Sequence, residues 1–255
     1  MKYYIIFLRK KKAIFKGFIK FFEKTGNFRM ILVTGDIHGD TKRFTDKRIR
    51  KLRKGDTLIV CGDLGLIWDG SDREKRTLRK LGRRKYNILF VEGAHENFDE
   101  LEKYPTEPWN GGTSRLISGN LRQLLRGSVF VIEGRKVFAF GGGSGEVNGG
   151  KAPCSEETAA RYELPSDPEL AEADKALAKY GYSVDYVVTY EPPVTMAEFL
   201  DQKVSATDTV GIYLDRKRAE ISFTHWFFGK HHLNKPIPPK FTALFDNVID
   251  AEKLK

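Results

Sequence analysis

The chain has 255 residues, of which 40% are hydrophobic and 31% charged, a length and composition typical of one globular domain. Apolar runs recur along nearly the whole sequence and its 24 glycines follow no fixed period, which excludes collagen-like repeats and wholesale disorder. No apolar stretch approaches the ~18 residues that a membrane-spanning helix needs. Cys61 and Cys154 lie far apart and outside any zinc-binding spacing, which indicates a protein of the reducing cytoplasm.

The net charge of +10 is concentrated at one end of the chain. Residues 1–29 contain nine Lys and Arg and a single Glu, a net charge of +8, which leaves only +2 for residues 30–255. Proteins that bind nucleic acids concentrate basic side chains on the face that meets the phosphates. A nearly neutral body therefore predicts no dedicated nucleic-acid surface.

Residues 1–29 are predicted to form a basic amphipathic extension ahead of the domain. From residue 13 onward, apolar side chains recur at helical spacing, and lysines repeat every fourth residue from Lys12 to Lys24. Such a helix is typical of a peripheral anchor on an anionic membrane surface. Two other interpretations stay open: a helix that docks on the domain, and a non-native extension, because Met30 begins the first clear strand.

From residue 30 the pattern alternates short apolar runs with amphipathic helices. In chain order it predicts strands at residues 30–34, 57–61 and 87–91 with a helix at 72–81, then close-spaced strands at 121–125, 128–132 and 137–141, a helix at 168–180 capped by Asp167, a strand at 185–189, a helix near 209–219, and strands at 226–228 and 241–246. Residues 133–136 read as a hairpin turn. Because strands that alternate with helices form parallel sheets, we predict an α/β fold of two packed mixed β-sheets flanked by helices over residues 30–255.

Polar side chains follow several of these strands at the point where each strand ends. The segments are 35–40 (GDIHGD), 62–65 (GDLG), 93–97 (GAHEN), 189–191 (TYE) and 229–232 (GKHH), and all five histidines of the sequence lie in or beside them. The carboxyl ends of neighbouring parallel strands converge on one crevice, where α/β folds bind their ligands. Asp36 and His38 direct a carboxylate and an imidazole at one cation, and Asp63 is expected to join them.

In this order the segments resemble the motif series of the calcineurin-like metallophosphoesterases, which runs D-x-H, G-D, G-N-H-E/D, a strand-end His and G-H-x-H. The match covers about residues 30–235. The resemblance implies a four-layer α/β/β/α metallophosphoesterase sandwich that hydrolyses phosphate mono- or diesters with metal-activated water. It places a first metal ion on Asp36, His38, Asp63 and His232. It also gives His95 the role of protonating the leaving group or stabilising the transition state, with Asp63 orienting it.

The second metal site of that family is degenerate in this sequence. The family adds an Asn and two His to the shared Asp63, whereas this chain has Ala94, Tyr190 and Lys230 at those positions. Ala94 has no donor atom, Tyr190 ligates only as a phenolate with an ordinary pKa of ~10, and Lys230 repels a cation. We therefore predict one intact site for Mn, Fe or Zn, no firmly held second ion, and reduced or altered activity.

The substituted positions are also candidates for holding the phosphate. Lys230, together with Tyr190 and His231, is predicted to contact the phosphoryl group, because an ammonium in the place of the second cation neutralises a phosphoryl oxygen. Two alternatives stay open: Lys230 extends into solvent, or a shifted loop lets His231 replace the missing histidine ligand. Trp68 follows Asp63 closely and is either a wall of the substrate pocket or a core residue.

Two functions follow from these residues. The first is a metal-dependent phosphoesterase that acts on a phosphoester small molecule or nucleotide. The second is a catalytically inactive pseudo-phosphoesterase that keeps the fold and one cation and serves as a binding or structural module. In either case, loops at residues 104–120 and 142–168 are expected to set the specificity.

Overall fold

The computed structural model describes residues 29–143, 154–202 and 209–254. The predicted N-terminal helix lies outside the described residues. The strands are β1 (Ile31–Thr34), β2 (Thr57–Cys61), β3 (Asn87–Val91), β4 (Thr106–Trp109), β5 (Gly112–Ser118), β6 (Leu121–Leu124), β7 (Ser128–Ile132), β8 (Arg135–Phe140), β9 (Tyr186–Thr189), β10 (His225–Phe228), β11 (Lys235–Ile237), β12 (Phe241–Ala243) and β13 (Val248–Asp250). The α-helices are α1 (Asp72–Gly82), α2 (Phe98–Leu101), α3 (Glu156–Glu163), α4 (Asp167–Ala178), α5 (Val194–Phe199) and α6 (Thr209–Glu220).

The strands form two mixed sheets. The first has seven strands in the order β13-β1-β2-β3-β6-β5-β4, and the second has six in the order β11-β12-β10-β9-β8-β7. Four central strands of each sheet, β1, β2, β3 and β6 in the first and β8, β9, β10 and β12 in the second, run parallel. Antiparallel strands flank them on both sides.

Alternate residues of the central strands face different layers of the protein. On β1, Ile31 and Val33 pack between the sheets against residues of β8, β9 and β10, whereas Leu32 packs outward with Leu78 and Leu81 of α1. The outer face of the second sheet is covered in the same way by α4 and α6. Burial of each such Leu, Ile or Val side chain stabilises the fold by about 1.5–3 kcal/mol. The predicted four-layer α/β/β/α sandwich is confirmed.

Several element boundaries differ from the predictions. Residues 104–120, expected to be a specificity loop, contain β4 and β5 at the edge of the first sheet. The strand predicted at 241–246 ends at Ala243, and β11 and β13 were not predicted. Helix α4 already includes Asp167, because Ser166 and Glu169 form a capping box ahead of it. The predicted hairpin turn is confirmed between β7 and β8, where Glu133 and Gly134 both have positive φ.

Candidate metal centre

The ends of β1, β2, β9 and β10 meet where the two sheets face each other. Gly62 and Gly229 allow this approach because neither has a side chain. A Cβ on Gly62, whose φ is +98°, would lie 2.1 Å from Cδ2 of Tyr190, and one on Gly229 would lie 2.3 Å from Oδ1 of Asp36. The glycines therefore bring loops from both sheets into a single cluster of side chains.

The loops after β1 and β2 are joined through the backbone of Asp63. The carbonyl oxygen of Asp63 accepts hydrogen bonds from the N–H groups of Ile37 and His38, each at 2.9 Å. Both His38 and Asp63 occupy the left-handed region, with φ of 49° and 43°. Side chains rarely adopt this conformation unless surrounding contacts impose it, and the two backbone hydrogen bonds supply such contacts.

Three of the four predicted metal ligands converge closely, and the fourth lies beside them. Nε2 of His38 lies 2.9 Å from Nε2 of His232, which in turn lies 3.3 Å from Oδ2 of Asp36. The ligand atoms of these three residues all fall within 4.8 Å of one another. Oδ2 of Asp63 lies 4.0 Å from Nε2 of His38. Asp63 belongs to a second, overlapping group of donors with His38 and His95.

The chemistry of this cluster fits a divalent cation. Oδ2 of Asp36 is buried and has no well-aligned hydrogen bond among the described residues; it faces Nε2 of His232 at 3.3 Å and Nε2 of His38 at 3.8 Å. Burial, together with the nearby Asp63 carboxylate, raises the pKa of Asp36 to about 6. Two imidazole nitrogens at 2.9 Å repel each other unless a proton or a cation lies between their lone pairs. A mixed set of carboxylate and imidazole donors is typical of sites for Mn, Fe or Zn.

Asp63 also orients His95. The Asp63 carboxylate accepts from the backbone N–H of His95 at 2.8 Å and contacts its ring Nδ1 at 2.8 Å. Because an ionised carboxylate only accepts, this contact assigns the proton to Nδ1, and it raises the pKa of His95. Nε2 is then the ring nitrogen that exchanges a proton with a ligand. His95 lines the same cavity as His38 and His232.

At the three positions where the family has second-site metal ligands, this chain has side chains that pack or bond within the protein. Ala94 is buried in the core between the sheets. The hydroxyl of Tyr190 donates to Oδ2 of Asp63 at 3.1 Å, and burial raises its pKa well above the ordinary value, so the side chain is a neutral phenol. Lys230 is buried and its ammonium pairs with the buried carboxylate of Glu191. The interpretation in which Lys230 extends into solvent is therefore wrong.

His231 and His225 do not join the cluster. His231 belongs to neither group of donors found in the described part of the chain; its buried Nε2 has no hydrogen-bond partner there, and burial lowers its pKa to about 4. His225 begins β10, at the opposite end of the strand from segment 229–232, and its Nε2 lies 2.8 Å from the hydroxyl of Thr242. The expectation that all five histidines gather at the crevice is wrong for His225, because strand direction places it at the amino end.

His225 makes the stability of the fold depend on pH. Burial lowers its pKa from 6.5 to about 4. Between these values the unfolded chain takes up a proton that the folded chain does not, so the free energy of unfolding falls as the pH falls. We expect the urea midpoint to fall less between about pH 7 and about pH 4.5 in His225→Gln than in the native chain. Equal falls in both proteins would contradict this role.

Two positioning residues were not recognised in the sequence. The buried carboxylate of Glu96 accepts from the N–H groups of Leu64 at 2.7 Å and Gly65 at 3.2 Å, so it fixes the loop after β2. Arg43 donates to the backbone carbonyls of Asp36 and Phe245, at 3.3 Å and 2.7 Å. Glu96 directly follows His95 within segment 93–97, one of the polar segments that the sequence pattern indicates as part of the site. Arg43 carries no such signal, because its partners are backbone carbonyl groups, which no residue type marks, and one of them, Phe245, is 202 residues away.

A comparison with protein families identifies the class to which this fold and site belong. The family described as calcineurin-like phosphoesterase matches residues 29–222, which is well over half of the chain. The chain belongs to the calcineurin-like phosphoesterase family, whose activity is metal-dependent hydrolysis of phosphoester bonds. Segment 229–232 lies beyond the matched residues, so its assignment rests on geometry.

Among curated proteins, the comparison finds no matching sequence. Within the described ranges, no helix has both the length and the apolar character required to cross a membrane.

Proposed function

We propose that this protein is a phosphoesterase that works with a single divalent ion held by Asp36, His38, Asp63 and His232. The observation that carries the proposal is the convergence of three ligand atoms, one each from the buried carboxylate of Asp36 and the imidazoles of His38 and His232, within 4.8 Å of one another. Manganese, iron and zinc all suit these donors. The substrate is a phosphoester small molecule or a nucleotide, and turnover is lower than that of a complete two-ion site.

When bound, the ion polarises a phosphoryl oxygen and lowers the pKa of water. The chain itself supplies the proton transfer and the positioning. As a bond forms between the water oxygen and phosphorus, the ester P–O bond breaks; the departing oxygen takes the Nε2 proton of the His95 imidazolium, and the proton released by the water passes to solvent. Asp63 holds the His95 ring in place through Nδ1, 2.8 Å away. His95 and Asp63 are thus the residues to which we assign the chemistry.

Two of the residues that replace second-site ligands, Tyr190 and Lys230, make contacts within the protein. The hydrogen bond from Tyr190 to Asp63 and the ion pair of Lys230 with Glu191 support a site for one ion only. Direct contact of Lys230, Tyr190 or His231 with a bound phosphate stays a prediction, as does membrane contact through residues 1–29. Burial, together with the neighbouring Lys230, lowers the pKa of His231.

The test is hydrolysis of an aryl phosphate monoester and an aryl phosphate diester with added Mn²⁺, using Asp36→Asn as the matched control. The substitution keeps the shape of the side chain but removes the charge that a cation requires. We expect the native chain to turn over at least one of the two esters and to retain the ion through gel filtration, and the variant to do neither.

Identical rates in the two proteins would overturn the proposal. In that case the second hypothesis, a catalytically inactive binding or structural module, is the one that stands. The buried Lys230–Glu191 ion pair favours this alternative, because it gives Lys230 a structural partner and leaves the residue no necessary part in a reaction. Both hypotheses keep one cation, so the rates of hydrolysis and not the metal content decide between them.

A further inference from the structure

A cavity of about 740 Å³ extends from the metal centre between the loops that follow β1 and β2 and the start of α1. His38, His95 and His232 line one end of it, and Trp68 and Arg73 belong to the wall beyond them. A phosphate held among the histidines therefore has room for the rest of its ester inside this cavity. The residues that line this part of the cavity have no role in the reaction proposed above.

The indole of Trp68 is one of several large apolar side chains that are open to solvent, and it is the one that lines this cavity. It is 42% exposed, whereas Trp226 is fully buried in the core of the second sheet. An exposed apolar ring forgoes the stabilisation that burial provides. The interpretation of Trp68 as a core residue is therefore wrong.

The exposure of Trp68 does not come from a loosely held loop. The carboxylate of Glu74 accepts from the backbone N–H groups of Trp68 at 2.7 Å and Asp69 at 2.8 Å. On the other side, the amide of Asn97 donates to the carbonyl oxygen of Trp68 at 2.5 Å. Asn97 stands two residues after His95, so one short segment holds both the backbone of Trp68 and the imidazole of His95. The backbone that carries the indole is thus preorganised relative to the reacting centre.

The remaining walls of the cavity are polar. Apart from the histidines, glycines, Leu66 and Trp68, its lining consists of Thr41, Asp69, Ser71, Arg73, Glu74 and Thr77. A lipid chain or an apolar peptide needs a continuous apolar wall, which this cavity does not offer. One aromatic face among hydroxyl, carboxylate and guanidinium groups suits a small ligand that combines a planar ring with polar edges. Nucleosides have this composition, and bases stack on aromatic side chains.

We propose that Trp68 is a stacking surface for the base of a nucleotide substrate whose phosphate lies at the metal centre. This inference rests on the proposed function, because the metal centre fixes the end of the ligand from which the base extends. Arg73 lines the same cavity and, within the described ranges, makes no ion pair with a carboxylate, so its guanidinium is available to the edge of the base or to the ribose.

The experiment measures binding separately from turnover. The manganese-loaded chain is titrated calorimetrically with adenosine 5′-monophosphate and with ribose 5-phosphate, which lacks the base. We expect the native chain to prefer the nucleotide, and Trp68→Ala to weaken nucleotide binding on the order of tenfold without changing that of ribose 5-phosphate. Trp68→Phe keeps a ring and is expected to retain most of the affinity. Phe199→Ala, at a residue that is 57% exposed and outside the cavity, is the matched control.

Several results would overturn the inference. They are no nucleotide binding at millimolar concentration, equal affinity for both ligands in the native chain, an unchanged nucleotide affinity in Trp68→Ala, or an equal loss for both ligands. A failure of the proposed function would give a different combination of binding and hydrolysis results. Nucleotide binding that depends on Trp68 without hydrolysis of any ester refutes the enzyme but not the stacking surface, whereas hydrolysis that ignores Trp68 refutes only the stacking surface.

Discussion

His95→Ala is expected to lower kcat for phenyl phosphate by roughly 10²–10⁴-fold, the usual contribution of general acid catalysis. For p-nitrophenyl phosphate the loss is expected to be much smaller. The physical reason lies in the leaving group: p-nitrophenolate is stable enough to depart without a proton, whereas phenolate gains far more from one. The effect of the substitution therefore depends on the substrate only if the imidazole of His95 donates that proton.

Two measurements accompany this prediction. Metal content is determined for the native chain and the variant, because Asp63 loses the ring contact at 2.8 Å and lies near the ligand His38. His95→Asn is the matched control, since its amide is able to hydrogen-bond to Asp63 but not to transfer a proton. Equal losses on both esters would show that His95 supports the metal centre and does not act as an acid.

The second large effect concerns the number of ions. The native chain is expected to bind one divalent ion, and the variant with Ala94→Asn, Tyr190→His and Lys230→His to bind two. These changes supply the donor types that the family resemblance implies at those positions. They also remove the hydroxyl that donates to Oδ2 of Asp63 at 3.1 Å and a buried positive charge, both of which oppose a second cation at that carboxylate.

Metal analysis after gel filtration in Mn²⁺ or Zn²⁺ gives the ion count directly. Tyr190→Phe alone is the control, because it removes the hydroxyl that donates to the Asp63 oxygen without providing a new ligand and is expected to stay at one ion. Lys230→His deprives Glu191 of its ammonium partner, so circular dichroism must show that the triple variant is folded. Two ions in the native chain, or one in a folded triple variant, would contradict the prediction.

Local sequence patterns were sufficient for the central strands and for the location of the site. Runs such as Thr57–Cys61 are apolar after their first residue, which is the pattern of a strand buried on both faces. Polar residues directly after such strands lie at the carboxyl edge of the sheet wherever the sheet is parallel. The closeness of Asp36 and His38 to His232 follows from these two regularities together with the resemblance.

Other features depend on contacts that the sequence does not encode locally. The edge strand β4 is half exposed and contains Pro108, so it has no apolar run to mark it, and its pairing with β5 defines it. The pair of Lys230 with Glu191 forms between loops that follow different strands. The sequence revealed that Lys230 is charged, but not that a buried partner 39 residues earlier neutralises it.

The carbonyl oxygen of Asp63 accepts hydrogen bonds from the N–H groups of Ile37 and His38, in the loop after β1 that carries two of the proposed ligands. The geometry of the metal centre therefore depends on the assembled sheet. Asp36 and His38 acquire their positions only when β1 lies against β2, with Val33 opposite Ile59 in register. An unfolded chain therefore offers the same donor atoms without the same affinity. Ion binding and assembly of the first sheet are thermodynamically linked. A destabilising substitution in the core, far from any ligand atom, is therefore expected to weaken the apparent affinity for the cation.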